Sequence, residues 1–525
     1  MQTRHTSVRS RSFVQLIVWA GIPFVAACLL IFAFRDRLFR LRTPVPALKV
    51  DYPDDPIRVQ DWDPARSQID FEVAMAQALY SPLLELDDNA QLKSGWAETF
   101  TWKDQHSLVL KLRRDHKRAD GSIITADDAR VSLKRLAFLQ QNEDGFYVEQ
   151  FCYTKRLDSI AAECPGLTAE GQTLTIRTRD PVAILPQLLT AVDTSIVPIT
   201  ALAEDGLTLR DHPRGSGPYT WDRTPSGEVI LKANPLHFNY HPLMPQAIHL
   251  VPDVNTSPES LTRAFNENRI DHAARFSALN SFEFKKLADA LGDRINTQST
   301  LPMGIGLLLF SEESRKRLPI PVKRELTLRL QAATARCLAA AGQDKIRRPT
   351  RSLIPPTSVG MLSPAEEAAL AAARQQHGII PFSIPVRIRF PSYIGDELVP
   401  CLSRDLQGVP VTFNRTPDEE ADLRFQGYDL STYEEVGSIR TMLTTGLLDA
   451  AELTPEAWIS RYIAERDTGK RVTLLKTAHL RAIWEDPSVI PLWHFETGAL
   501  IRKPWVMKFS ILSISNPFHL IRYGE

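Results

Sequence analysis

Glycine is scarce in this chain, 24 residues among 525, and prolines outnumber it at 37. That balance favours stiff loops and argues against an architecture built on glycine-rich phosphate cradles. Surplus charge is missing as well, because 62 Lys and Arg stand against 62 Asp and Glu. A molecule without net positive charge has little with which to hold a phosphate backbone, so no nucleic-acid partner is expected. No G-x-S-x-G elbow, Walker loop, H-E-x-x-H pair or Cys-x-x-Cys pair occurs anywhere. The common local signatures of hydrolases, NTPases and zinc enzymes are thereby removed, and no catalytic residue, metal site or cofactor is expected.

What is present is an ordinary globular composition, with 43% hydrophobic, 24% charged and 8% aromatic residues. The length, roughly three and a half typical domains, predicts two or three lobes. Charge is unevenly placed: residues 1–47 hold seven Arg (Arg4, Arg9, Arg11, Arg35, Arg37, Arg40, Arg42) and only Asp36. The remainder has 55 basic and 61 acidic residues, net −6. Between the Arg clusters runs Phe13 to Phe34, interrupted only by Gln15 and Pro23. As a helix it would be roughly 33 Å long and match a bilayer core, so residues 13–34 are predicted to be a transmembrane anchor. Residues 1–12 would then be a cytoplasmic tail, and residues 35–47, with Thr43-Pro44-Val45-Pro46, a stiff stalk.

A cleavable signal peptide competes with the anchor, since Val25-Ala26-Ala27-Cys28 resembles a lipoprotein box in which Cys28 is lipidated. The apolar run continues past it to Phe34, whereas the apolar region of a signal usually ends near the cut. Orientation is not set by charge, with three Arg before the span and four after it. Of the other cysteines, Cys152 with Cys164 and Cys337 with Cys401 would make two bridges, and four free thiols are the alternative.

Alternating apolar residues predict strands at Leu108, Leu110 and Leu112, at Leu174 and Ile176, at Val386, Ile388 and Phe390, and at Val409, Val411 and Phe413. Ser257-Pro258, Ser363-Pro364 and Thr454-Pro455 read as helix starts, a capping hydroxyl before a proline. Ser363 with Glu366 is a full capping box for a helix to about His377. Helices and strands then alternate from 255 to about 470, the pattern of an α/β lobe. Gly215-Ser216-Gly217-Pro218 reads as a tight turn, and His237 and His241, between Pro235 and Pro242, as solvated loop histidines rather than metal ligands. Trp484, Trp493 and Trp505 read as core residues before cleft residues.

The blocks Leu112-Arg113-Arg114, Ala119-Asp120-Gly121-Ser122, Thr125-Ala126-Asp127-Asp128 and Ser132-Leu133-Lys134-Arg135-Leu136 resemble, in order and spacing, the signature of the peptide/nickel-type extracytoplasmic solute-binding proteins of ABC transporters, the dipeptide/oligopeptide-binding protein family. Asp63-Pro64, Trp96-Ala97-Glu98, Gly215 to Tyr219, Asn268 to Asp271, Leu353 to Pro356, Ile490 to His494 and Arg502-Lys503-Pro504 extend the resemblance over most of the body. It implies an α/β, two-lobed periplasmic-binding-protein-like fold with an extra subdomain on lobe I, here preceded by one N-terminal transmembrane helix. The expected boundaries are 48–254 for lobe I, with the subdomain at about 65–195, then 255–470 for lobe II and 471–525 for a C-terminal return to lobe I. It also implies hinge closure on an oligopeptide-like or small polar ligand, ABC transporter permease subunits as partners, no enzymatic activity, and a body facing the periplasm or cell exterior.

Peptide binders of the family carry Gly-Trp at a strand end and, three residues past the Trp, an Asp that pairs with the peptide ammonium. Here Gly427 is followed by Tyr428, and the corresponding position is Ser431. A buried ammonium without a carboxylate is costly, so Asp429 or Glu434 would have to substitute. Tyr428, Asp429, Ser431 and Phe425 are the candidate ligand-binding residues. A sensor or scaffold that keeps this fold without transport is the rival reading.

Overall fold

Local capping chemistry sets several helix starts. Thr125 Oγ1 accepts the Asp128 N–H at 3.1 Å while Asp128 Oδ2 accepts the Thr125 N–H at 2.9 Å. This reciprocal pair satisfies donors that the first helical turn leaves orphaned. Ser363 and Glu366 form the same box, and Ser257 and Thr454 accept backbone N–H groups as predicted. The computed structural model describes residues 45–524 except 53–61, 68–69, 88–90, 143–144, 211–213, 225–226, 253–256, 275–283, 300–303, 356–359, 415–419, 430–441, 444, 496–497 and 509–516. Ala47–Glu525 forms one compact unit. The predicted span at 13–34 and Cys28 lie outside the described residues, among which no helix is long and apolar enough to cross a membrane.

The body opens with strand β1 (Leu48–Asp51) and helix α1 (Asp70–Leu79). Strands β2 (Ala97–Trp102) and β3 (Ser107–Leu112), helix α2 (Ala126–Leu139), and strands β4 (Leu167–Glu170) and β5 (Thr173–Arg177) follow. They build an antiparallel sheet of order β2-β3-β5-β4. Leu108, Leu110, Leu112, Leu174 and Ile176 are buried, as their alternation predicts. Next come β6 (Tyr219–Arg223), β7 (Val229–Ala233) and β8 (Ala247–Val251), which join β1 in a sheet of order β1-β8-β7-β6. β1 runs parallel to β8 and continues it toward the later part of the chain, where the Lys49 backbone N–H reaches Asp271 Oδ2 at 3.1 Å.

The second half is organised by a six-stranded mixed sheet. Along the chain its parts are β9 (Gly304–Phe310), α3 (Ile320–Ala340), β10 (Arg347–Pro349), α4 (Pro364–Gln376), β11 (Val386–Arg389), α5 (Ser392–Asp405), β12 (Val411–Asn414) and β13 (Leu423–Asp429). Helices α6 (Pro455–Ala464) and α7 (Thr468–Leu480) precede the last strand, β14 (Val489–Phe495). The strand order is β10-β14-β9-β13-β11-β12. One face packs Leu308, Ile388, Leu423 and Trp493 beneath Leu326 and Leu330 of α3 and Leu398 and Leu402 of α5. On the other, Ile305 and Leu307 join a cluster that includes Leu370 of α4 and Leu475 of α7 and runs on to Leu108, Leu110 and Ile176 of the first sheet. Helix α6 completes that continuity: the Ala183 N–H donates to Ile463 O at 2.7 Å, and the Arg466 guanidinium lies 5.7 Å from the Trp102 ring.

Both cysteine pairs are bridged, Cys152 to Cys164 and Cys337 to Cys401, so the free-thiol alternative does not hold. The longer bridge ties α3 to α5 across one face of the sheet. Gly215 and Gly217 differ from the predicted turn: neither has a positive φ, and a Cβ there would lie 1.8 Å from Leu79 O and 2.4 Å from Leu79 C. Their smallness lets this segment press on the end of α1, where Ser216 Oγ accepts the Ser81 N–H at 3.1 Å. His237 is likewise not solvated. It is buried, with Nε2 3.1 Å from Ser81 Oγ and its ring packed against Trp96 and Phe238. Trp493 and Trp505 are buried as read, and Trp484 is half-buried.

Asp63 and Arg135 are 3% and 1% exposed and form a buried bidentate pair, Nη1 to Oδ1 at 2.9 Å with Nη2 on Oδ2. Arg135 Nε also donates to Leu207 O at 2.8 Å, so three segments meet on one guanidinium. Asp63→Ala strands that charge and is expected to lower the unfolding free energy by about 3–5 kcal/mol, read from urea midpoints. The double variant Asp63→Leu/Arg135→Met should recover much of the loss, and a double variant as unstable as the single one would contradict this account.

Candidate functional site

β13 lies beside β9 in antiparallel register, with Ile305 opposite Tyr428, Gly304 opposite Asp429 and Leu308 opposite Phe425. Because side chains alternate along a strand, Phe425 and Tyr428 leave opposite faces of the sheet. Phe425 stacks between Phe390 at 5.5 Å and Trp493 at 5.3 Å, within the cluster under α3 and α5. Tyr428 packs against the cluster on the other face and is half-buried. The structure therefore does not bring these two together on one side. Asp429 ends β13, and Ser431 and Glu434 lie outside the described residues.

Two glycines on β9 make this pairing possible. A Cβ at Gly306 would fall 2.4 Å from the Trp493 ring, and one at Gly304 would fall 1.8 Å from the Phe495 ring. The aromatic side chains of β14 thus lie over β9 where any side chain would clash, and they back the strand that carries Tyr428. Around the Tyr428 phenol, Gln426 accepts its hydrogen through Oε1, and a side-chain hydrogen bond links it to Thr445. Burial pushes the phenol above its ordinary range, and the Thr445 bond opposes the shift. The ring is thus a neutral hydrogen-bonding platform held in one rotamer. Period two along β13 puts Gln426 on the same face as Tyr428, a signal present in the sequence; Thr445 carried none.

Buried histidines surround the strands rather than a metal. His479 Nε2 accepts the Leu353 N–H at 2.8 Å, beside His494 of β14, and His272 Nδ1 is 3.1 Å from Leu500 O. Among the described residues no group of His, Cys, Asp and Glu is arranged to hold a metal ion. Burial lowers His272 and His494 to about 4 and His479 and His519 to about 3, and it holds His237 well below the ordinary value.

Residues 91–313 match the family model described as Bacterial extracellular solute-binding proteins, family 5 Middle. The glutathione-binding protein GsiB of Shigella flexneri is 26% identical over 166 residues, 31% of this chain and 30% of that protein. The match thus spans under a third of the relative's length. NikA from Brucella suis, solved in complex with Fe(III)-EDTA, superposes with a TM-score of 0.70 at 16% identity, covering 91% of this chain and 100% of that one. The Escherichia coli murein tripeptide binding protein MppA gives 0.61 at 17%, covering 92% and 100%. At such identities the solved structures show the fold, an α/β two-lobed periplasmic-binding-protein architecture.

The depressed histidines make a test of the packing. Each is neutral when folded and protonates near pH 6.5 when unfolded, so stability is complete above pH 6.5 and is lost as pH falls toward the folded values of about 4 and 3. His479→Gln keeps an acceptor for Leu353 and removes one titrating group. The pH dependence of unfolding between pH 6 and 4.5 should flatten by about 1.4 kcal/mol per pH unit. An unchanged slope would show that His479 is not held neutral.

Proposed function

We propose that this chain, whose residues 91–313 match the model of family 5 bacterial extracellular solute-binding proteins, is such a protein, which captures an oligopeptide-like or other small polar ligand outside the cytosol and delivers it to the permease subunits of an ABC importer. Lobe I takes residues 48–254, with an extra subdomain at about 65–195, lobe II follows from 255, and the return to lobe I, expected from 471, comes only after β14, whose pairing with β9 and β10 keeps 489–495 in the second-half sheet. Ligand touches both lobes only when they are closed, so its differential affinity draws the population to the closed form. No covalent chemistry is involved.

The observation that carries this reading is the half-buried Tyr428 phenol, fixed by Gln426 and Thr445 at the end of a central strand. Tyr428 stacks on the ligand, Asp429 and Ser431 are its polar partners, and Phe425 supports the strand from the opposite face. Ser431 where peptide binders have Asp argues for a ligand whose ammonium is absent or is met by Asp429. Relatives described as binding glutathione, a murein tripeptide and Fe(III)-EDTA set the range to screen. The same substitution also motivates the sensor or scaffold reading, in which the purified chain brings down a partner other than a permease.

Residues 13–34 anchor the chain in the cytoplasmic membrane with the body on the outer side, or Cys28 is lipidated after cleavage. The continuous apolar run from Phe13 to Phe34 supports the uncleaved form. In a thermal-shift screen of short peptides, glutathione and metal chelates, at least one class should raise the melting temperature. Tyr428→Ala should then weaken that ligand about tenfold, roughly 1.4 kcal/mol. A folded body that responds to no compound, or a variant of unchanged affinity, would defeat the assignment. The anchored protein should stay in membranes through carbonate extraction and have an intact N-terminus, whereas a mass starting at lipidated Cys28 would establish the processed form.

A further inference from the structure

The helices on the two faces of the six-stranded sheet do not close over its edge. α3 packs in the cluster with Leu308 and Trp493, and Leu370 of α4 packs in the other, with Ile305 and Leu307. α3 packs against the edge strand β10, only three residues long, and a cavity of about 580 Å³ lies between the two helices there, lined by Leu328 and Gln331 of α3, Pro349 of β10, Leu362, and Leu370 and Arg374 of α4. That volume falls among ordinary small-molecule sites, about 300–1,000 Å³.

Arg374 is 5% exposed and has only neutral acceptors. Nη1 donates to Gln331 Oε1 at 2.7 Å, Nη2 reaches Arg351 O at 3.5 Å, the outer limit of a hydrogen bond, and Nε has no partner. Among the described residues no carboxylate pairs with this guanidinium. Its remaining compensation is the Trp484 ring, 5.4 Å from Cζ, which Arg324 shares at 5.1 Å. Two charged residues on the cavity lining are exposed, Arg351 and Glu367. Burial, aided by Arg351, holds the Arg374 guanidinium down at about 10. A buried cation without a counter-charge is costly, and such a residue on the wall of a cavity is the arrangement an incoming anion relieves.

We infer that this cavity is a second binding site, separate from Tyr428, for a small organic anion whose carboxylate pairs with Arg374 while its apolar body lies against Leu328, Leu362 and Leu370. The guanidinium fork suits a planar carboxylate, which would replace the long Nη2 contact to Arg351 O. This inference does not depend on the identity of the cleft ligand.

The test titrates the full-length chain in mild detergent with benzoate and with benzamide, its neutral counterpart, by calorimetry and saturation-transfer NMR. Saturable benzoate binding at least tenfold tighter than benzamide is expected. Arg374→Met should weaken benzoate at least tenfold. Ala371→Phe, which fills the cavity without removing charge, should abolish binding, and it decides the matter if the first variant fails to fold. No saturable benzoate binding, benzamide binding equally well, or benzoate affinity unchanged in Ala371→Phe would each overturn the proposal.

Discussion

One buried ion pair holds the first half of the chain in register. Asp63 belongs to the segment before α1, Arg135 to α2, and the Leu207 carbonyl that takes the third guanidinium donor to a loop more than seventy residues further on. None of these segments makes a strand with another; α2 is held to the stretch before Leu207 by the Ile199 N–H on Asp128 Oδ1 and by Ser132 on Val197, and the shared guanidinium adds Asp63 to that set. A charge pair in a dry interior adds little net stability but penalises alternatives, because each wrong arrangement leaves a bare charge. Burial holds the nearby Tyr80 phenol protonated far above its ordinary range, with Asp63 adding to the effect and Arg135 opposing it.

The second half depends on a constraint of a different kind, the removal of side chains. Gly304 and Gly306 clear the space into which Phe495 and Trp493 settle, and Trp493 then begins a stack through Phe425 to Phe390. The stack fixes β13 between β9 and β11. With the strand immobilised from that face, Tyr428 on the other is presented in one orientation, at little entropic cost to whatever it meets. Packing on one side of a sheet thus orders what the other side presents.

Much of this was legible in the sequence. Capping pairs such as Thr125 with Asp128 and Ser363 with Glu366 are local, and local chemistry survives folding unchanged. Period two in Leu108 to Leu112 named a buried face for the same reason. Both cysteine pairs were named from the sequence, but the choice between bridges and free thiols was not legible, since for Cys337 and Cys401 it depends on α3 and α5 lying side by side on a sheet whose strands are drawn from widely separated parts of the chain. His237 was misread because proline spacing reports backbone shape and says nothing of what packs on the loop; Ser81, the hydroxyl beside its ring, lies 156 residues away. Phe425 was grouped with Tyr428 by proximity along the chain, whereas the alternation of a strand separates them. The same reasoning from residue types could not reach Arg374, whose isolation appears only when α3 and α4 are set around the edge of the sheet.

The stiffness of the second half has a consequence for hinge closure. The Cys337–Cys401 bridge fastens α3 to α5 on one face, while Lys476 of α7 pairs with Glu366 of α4 at 2.7 Å on the other. Arg374 and Gln331 connect α4 back to α3 around the edge. The sheet is thus clasped on both faces and at one side, and so moves as a body. Where it meets the first half, the contacts are of another sort: a backbone hydrogen bond from Ala183 to Ile463 and an Arg466 side chain lying on Trp102. Beside them the apolar cluster runs on from Ile305 and Leu307 to Leu108 and Ile176, packing that is non-directional where the disulfide and the aromatic stack are specific. The closure proposed for ligand capture would act at this junction, where packing is less directional than inside the clasped sheet.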